Sequence, residues 1–301
     1  MDRREAIRFL AASAASAVVA PAQAMRSAPI ERAIPSSGEK LPAIGMGTWI
    51  TFDVAGDAAA GATRRLILSD FFDAGGRVID SSPMYGSSEQ VLGERMPPNA
   101  AGRLFAASKV WTVGALAGRR QAEASRELWK VARFDLLQVH NFLDWEVHLP
   151  ILQKMKAEGR ARYVGVTTSH GRRHDLARHI MRTQKIDFVQ FTYNIATREV
   201  EKDLLALAAG RGIAVIVNRP FDGGSLFGAK TQKSLPGWAA EIGCTSWAEA
   251  FLKFVVSHPA VTCAIPATSQ RAHLAQNMRA LSGVLPDATL RGRMAADYER
   301  L

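Results

Sequence analysis

Eight short apolar runs, alternating with stretches of helical character, constrain this chain more than any other feature. They fall at 43–48, 77–80, 104–110, 135–140, 162–167, 187–193, 213–218 and 261–265. Each is too short and too continuously apolar for an amphipathic strand with one wet face. Runs of that kind belong to strands buried on both sides, as in a parallel sheet. The stretches between them read as helices. Asp57 is placed to cap a helix reaching about residue 73, which Gly75-Gly76 stop. Further helices are expected near 115–132, 144–157, 172–182, 199–209, 246–256 and 270–280, and the fourth of these carries an apolar stripe at Val200, Leu204, Leu207 and Ala208. A final helix is expected to close the chain. Eight strand–helix units in about 260 residues predict an α/β fold, a (β/α)8 TIM barrel over residues 41–301. A doubly wound sheet is the alternative. It calls for a glycine fingerprint after its first strand, and Gly45-Met46-Gly47-Thr48 lacks the third glycine.

The N-terminus has a different character. Arg3-Arg4 precede an apolar stretch from Phe9 to Ala20, and Ala22-Gln23-Ala24 offers small residues at a peptidase site. This predicts a leader of twin-arginine type over residues 1–24, recognised by the twin-arginine export machinery and cleaved near Ala24. The expected location is the periplasm or the exterior, with the cytoplasm as the alternative. The apolar stretch is too short to anchor stably in a bilayer. Residues 25–40, polar and rich in Pro and Ser, read as a linker.

Composition narrows the partners. The formal charge is +10, yet the arginines are scattered, with Arg119-Arg120 and Arg172-Arg173 only short pairs. No aromatic-interleaved basic run is present, so nucleic-acid binding is not expected. His170 and His174 stand at helical i,i+4 spacing without a third ligand, and no metal site is expected. Cys244 and Cys263 form no disulfide framework; pairing is possible in an oxidising compartment, but a buried free thiol suits the apolar run around Cys263 better.

In a barrel, chemistry sits at the C-terminal ends of the strands. There the chain places Thr48, Asp80, Lys109, His140, Thr167-Thr168, Tyr193-Asn194 and Asn218-Arg219. Asp80 opens the stretch VIDSSPMYGSSEQVLGE, which brings Tyr85 back toward the same end. An ordinary phenol titrates near 10. A lysine beside it favours phenolate, and a carboxylate keeps that lysine charged and in place. A histidine at the next strand end can orient a carbonyl oxygen. Asp80, Tyr85, Lys109 and His140 are therefore the candidate catalytic residues. Trp49, Trp111, Phe142 and Asn141 follow strand ends and are expected against a substrate.

These stretches resemble the aldo-keto reductase family. The resemblance is carried by IGMGTW at 44–49, RVIDSSPMYGSSEQVLGE at 77–94, ASKVW at 107–111, DLLQVHN at 135–141, RYVGVTT at 162–168, DFVQFTYN at 187–194 and IPATSQRAHLAQNM at 265–278. It implies an NADP(H)-dependent oxidoreductase acting on a small carbonyl or alcohol, with Tyr85 as general acid/base. It also implies that Gly47, Thr48, Asp80, Thr167, Thr168, Gln190 and Asn218 line the nicotinamide half of the cofactor. Arg219, Thr268, Arg271, His273, Gln276 and Asn277 are implied along its phosphates and adenosine. The chain departs from the family pattern at several points. Thr167-Thr168 replace a Ser-Asn pair, Asn218 stands where an aromatic is common, and Ala267 and His273 replace a Lys and an Arg. A nucleotide-binding sensor with little turnover is the alternative from another class, and a lyase or epimerase of barrel fold a further one.

Overall fold

The computed structural model describes residues 28–301. Ten strands and ten α-helices follow in chain order among these residues. The expected leader lies outside them. Eight parallel strands are arranged in sequence order: β3 (Met46–Gly47), β4 (Val78–Asp80), β5 (Phe105–Val110), β6 (Phe134–Val139), β7 (Ala161–Thr167), β8 (Phe188–Thr192), β9 (Ala214–Asn218) and β10 (Cys263–Ala264). Isolated bridges from Ile44 to Ala264 and from Gly47 to Ala267 close the ring. The expected (β/α)8 barrel is thus the fold. Its first and last strands are shorter than their apolar runs, because the seam between them holds by a few backbone bonds rather than a full ladder.

Around the ring lie α1 (Ala58–Asp73), α2 (Ser88–Arg95), α3 (Ala115–Trp129), α4 (Trp145–Ala157), α5 (His174–Thr183), α6 (Leu204–Gly210), α7 (Trp238–Glu241), α8 (Trp247–Val256), α9 (Arg271–Arg279) and α10 (Ala288–Arg300). Asp57 caps α1 as expected, its Oδ1 accepting from the N–H of Ala60 at 2.9 Å. Most of the core lies between strands and helices, where Ile67, Phe71, Val139, Leu152, Ile180, Leu204 and Phe251 are buried.

Inside the barrel a second, smaller cluster stacks Val78, Phe105, Ala107, Leu136, Tyr163, Phe188, Ala214, Ile216 and Cys263. Side chains along a strand alternate between faces. Two or four residues beyond these apolar positions, the inner face therefore presents Asp80, Lys109, Gln138, His140, Thr167, Gln190, Thr192 and Asn218. The barrel interior is apolar below and polar at the C-terminal end. Gly165 also belongs to this inner column; a Cβ there would stand 2.4 Å from the Phe188 carbonyl oxygen.

The linker expected over 25–40 is corrected where it is described. Residues β1 (Glu31–Ala33) and β2 (Lys40–Pro42) form an antiparallel hairpin. Ile34 and Leu41 are buried against the bottom layer of the barrel interior. Glu39 accepts from Tyr163 Oη at 2.9 Å and pairs with Arg162 and Arg77. Polar composition suggested a solvated segment, but its two apolar residues plug the barrel's lower opening. Cys244 and Cys263 are both buried and unpaired. No helix of the described residues is long and apolar enough to cross a membrane.

Candidate active site

Three adjacent strands deliver the central charges. Asp80 ends β4, Lys109 is the penultimate residue of β5, and His140 directly follows β6. Lys109 is fully buried; its Nζ pairs with Asp80 Oδ1 and donates to the Ser81 carbonyl at 2.8 Å. The second oxygen of Asp80 accepts from Gln138 Nε2 and Gln190 Nε2, both at 3.2 Å. A buried carboxylate is thereby satisfied on both oxygens, and the buried ammonium has its counter-charge. Burial disfavours charge on Lys109, but Asp80 and Tyr85 outweigh it and hold the group above the ordinary lysine value. It stays cationic.

Tyr85 arrives from the turn after β4, part-buried in the cleft wall. Lys109 Nζ lies 5.1 Å from its ring centroid, and the His140 ring meets it edge-on at 5.7 Å. Gly86 makes this approach possible. It has φ +57, and a Cβ on it would stand 2.4 Å from the Asp53 carboxylate, which accepts the Ser87 N–H at 2.8 Å. The expectation for the phenol is corrected. Burial raises it above its ordinary value, and the opposing pull of Lys109 does not offset that. Tyr85 is therefore held as the neutral phenol.

His140 is buried, and its pKa is pushed down to about 2 by burial and by the charge of Lys109. The ring is neutral. Ser82 Oγ accepts the Met84 N–H at 3.2 Å and lies 2.8 Å from His140 Nδ1. The hydroxyl keeps both its hydrogen and a second lone pair, so it can donate to Nδ1 or accept from it. In the tautomer where Ser82 donates to Nδ1, the proton sits on Nε2, which can donate to a carbonyl oxygen.

These residues open into a cleft of about 780 Å³. Gly47, Thr48, Asp80, Thr167, Gln190, Asn218 and Arg219 line one part, and Thr268, His273, Gln276 and Asn277 another. Trp49, Asn141, Tyr85 and His140 line it as well. The cleft thus brings these strand-end residues and the start of α9 together. Four expected residues take other places, and the first of them, Phe142, is buried in the core between strands and helices. Thr168 is buried beside the cleft and gives its hydroxyl to the Arg172 carbonyl at 2.7 Å. Trp111 stands outside the lining, its backbone tied to Gln121. Arg271 also stands outside it, because Asp70 of α1 binds its guanidinium at 2.5 and 3.0 Å. Asn218 remains in the wall, but its amide is spent on the Thr168 carbonyl, Gln190 Oε1 and Thr192 Oγ1.

Sequence reading missed Ser82, Gln138 and Arg64. Gln138 had a signal, two residues before His140 on the same inward face. Ser82 and Arg64 had none, since a turn and a long helical side chain decide their partners. Arg64 is buried in α1 without a carboxylate partner among the described residues. Its Nε donates to the Thr51 carbonyl at 2.5 Å and its Nη1 to the Ser269 carbonyl at 3.3 Å. It joins the loops after the first and last barrel strands.

A parallel barrel whose strand ends hold a buried Lys–Asp pair, a phenol and a neutral histidine defines a class of oxidoreductase. The chain belongs to the Aldo/keto reductase family, whose family model matches residues 43–291. A curated relative, the NADH-specific methylglyoxal reductase of Escherichia coli (strain K12), is 24% identical over 236 residues, covering 66% of this chain and 69% of that protein. An aldo/keto reductase from Klebsiella pneumoniae, solved in complex with NADP and acetate, is 26% identical with a TM-score of 0.74, covering 87% of this chain and 93% of that one. The holo form of an aldo-keto reductase from Bacillus halodurans superposes with a TM-score of 0.75 at 18% identity, over 90% of this chain and 96% of that one, which bears on the fold alone.

Proposed function

We propose that this chain is an NADP(H)-dependent oxidoreductase that reduces an aldehyde or ketone to an alcohol, or runs the reverse reaction. The observation that carries this reading is the buried Lys109–Asp80 pair beside Tyr85 and a neutral His140. The Klebsiella pneumoniae relative solved with NADP supports the choice of cofactor.

The residues present suit such a dinucleotide. The cleft runs from the strand ends to α9, and the backbone of Gly223 and Gly224 approaches it at positive φ. Arg219 lines this stretch with its Nε buried and without a partner among the described residues, although its Nη2 holds Asp222 at 3.0 Å. A phosphate oxygen is a fitting acceptor for that Nε. When bound, the nicotinamide supplies or accepts the hydride.

The protein's own part is to place the carbonyl and move a proton. His140 Nε2–H donates to the carbonyl oxygen and aims it at Tyr85. Tyr85 gives its proton to that oxygen as the carbonyl carbon receives the hydride, and Lys109 stabilises the phenolate left behind. Asp80 keeps Lys109 charged and in register. In the reverse direction the phenolate takes the alcohol proton. The raised phenol value keeps the acid form through neutral and mildly alkaline pH.

Tyr85→Phe tests the assignment. The variant should bind NADPH with nearly parental affinity and lose at least about 100-fold in carbonyl reduction. Single-turnover oxidation of bound NADPH by a carbonyl panel measures this. Full turnover by the variant removes Tyr85 from the chemistry, and binding without oxidation by the parent favours a sensor. Export through the twin-arginine route, delivering a folded and loaded protein, belongs to the same reading. Mass spectrometry of protein from its natural compartment checks it: a mature N-terminus near residue 25 is expected, and an intact Met1 counts against export.

A further inference from the structure

One backbone position beside the tetrad is strained in a way that neither fold nor chemistry requires. After β3 the chain makes a three-residue turn, closed by the Thr51 N–H on the Trp49 carbonyl at 2.7 Å. At its centre Ile50 has φ +64. This is the uncommon, strained hand of such a turn. A β-branched residue there is a genuine outlier, since glycine or asparagine adopts that region far more readily. The side chain gains nothing inside the protein in exchange, because Ile50 is 65% exposed.

The turn is nevertheless firmly fixed. Phe52 N–H bonds the Thr48 carbonyl at 3.1 Å, and Arg64 holds the Thr51 carbonyl at 2.5 Å. It also sits in the active cleft. Trp49, Ile50 and Thr51 line the same cavity as Tyr85 and His140, and Trp49 and Met84 are large apolar groups left exposed there. Because β3 pairs with β4, this turn neighbours the loop that carries Tyr85. Strained backbone positions cluster at active sites and ligand clamps.

We propose that Ile50 is a specificity-determining residue. Beside Trp49 and Met84 it contacts the apolar body of the carbonyl substrate, selecting longer alkyl or aryl carbonyl compounds over short ones. The inference rests on the carbonyl-reductase reading above and adds the part of the substrate away from the reacting carbon. The fixed turn presents the side chain ready for contact, so substrate binding covers an apolar surface without having to order it first.

The experiment measures kcat/KM with NADPH for straight-chain aldehydes from propanal to octanal, in the parent and in Ile50→Asn and Ile50→Gly. Asparagine is among the non-glycine residues most often found at positive φ, and it removes the apolar contact. In the parent, kcat/KM should rise about threefold per added methylene while the chain remains in contact. The octanal-to-propanal ratio should fall at least about fivefold in Ile50→Asn. Ile50→Gly should show the same fall in ratio with a thermal midpoint at or above the parent's, since glycine relieves the strain. A ratio within about twofold of the parent's in Ile50→Asn overturns the proposal. So does a fall in ratio accompanied by an equal loss of NADPH affinity, measured by tryptophan quenching. A parent that reduces the aldehydes with no dependence on chain length overturns this inference and leaves the reductase reading standing. A parent that oxidises NADPH with none of them overturns both.

Discussion

His140 takes its protonation state from its surroundings. Ser82 engages one ring nitrogen, and burial with the nearby Lys109 charge moves the group from 6.5 to about 2. In the unfolded chain the same imidazole titrates near 6.5. Its folded value is depressed, so its contribution to stability is complete above about pH 6.5 and is lost as pH falls toward 2. The stability gap between the parent and His140→Asn should therefore narrow by about 1.4 kcal/mol per pH unit below 6.5. Urea titrations of both proteins between pH 7 and 4 measure this; a constant gap would mean that the ring is charged in the fold. Asp80, Lys109 and His140 were legible because polar residues after apolar runs stand out. Their spacing on alternate positions of neighbouring strands follows from strand geometry. The ionisation of Tyr85 was not legible. A sequence pairs a phenol with a lysine but does not say how deeply either is buried, and here burial decides the direction.

Helices and strands read well where a local signal set their ends. The Asp57 cap and the two glycines after α1 bound that helix within a residue of expectation. The loop after β9 was harder, because its short α7 exists through a distant contact: Trp238 Nε1 donates to Asp297 of α10 at 2.9 Å. Glu89 of α2 is a related case. It is buried, accepts from Ser108 of β5, and also accepts from Ser125 and Trp129 of α3 at 2.7 and 3.1 Å. One carboxylate thus fastens the helix behind Tyr85 to the strand that carries Lys109. Glu89→Ala leaves three buried donors without an acceptor and should lower the unfolding free energy by about 3 kcal/mol or more. A loss under about 1 kcal/mol in urea denaturation, typical of an exposed pair, would mean that water replaces the carboxylate.

At the scale of the whole molecule, the barrel is joined through its first and last thirds. The N-terminal hairpin plugs its lower opening, and the seam between β3 and β10 completes the ring. Ile34→Ala and Leu41→Ala should each cost about 2–4 kcal/mol, as buried core positions do. Changes within about 0.5 kcal/mol in the same denaturation assay would restore the linker reading. Strand count and order were legible because the apolar runs repeat. The plug was not, since two apolar residues in a polar segment give no period to read. The hairpin also imposes an order on synthesis. Ile30 N–H bonds the Leu281 carbonyl at 2.7 Å, and Arg32 bonds the Val256 carbonyl at 3.3 Å. The Ile30 bond can form only after residue 281 has been made. A chain broken off before residue 256 lacks both of these bonds and holds its hairpin through Ile34, Leu41 and Glu39, so protection of the Ile30 amide reports whether the later segment has been made.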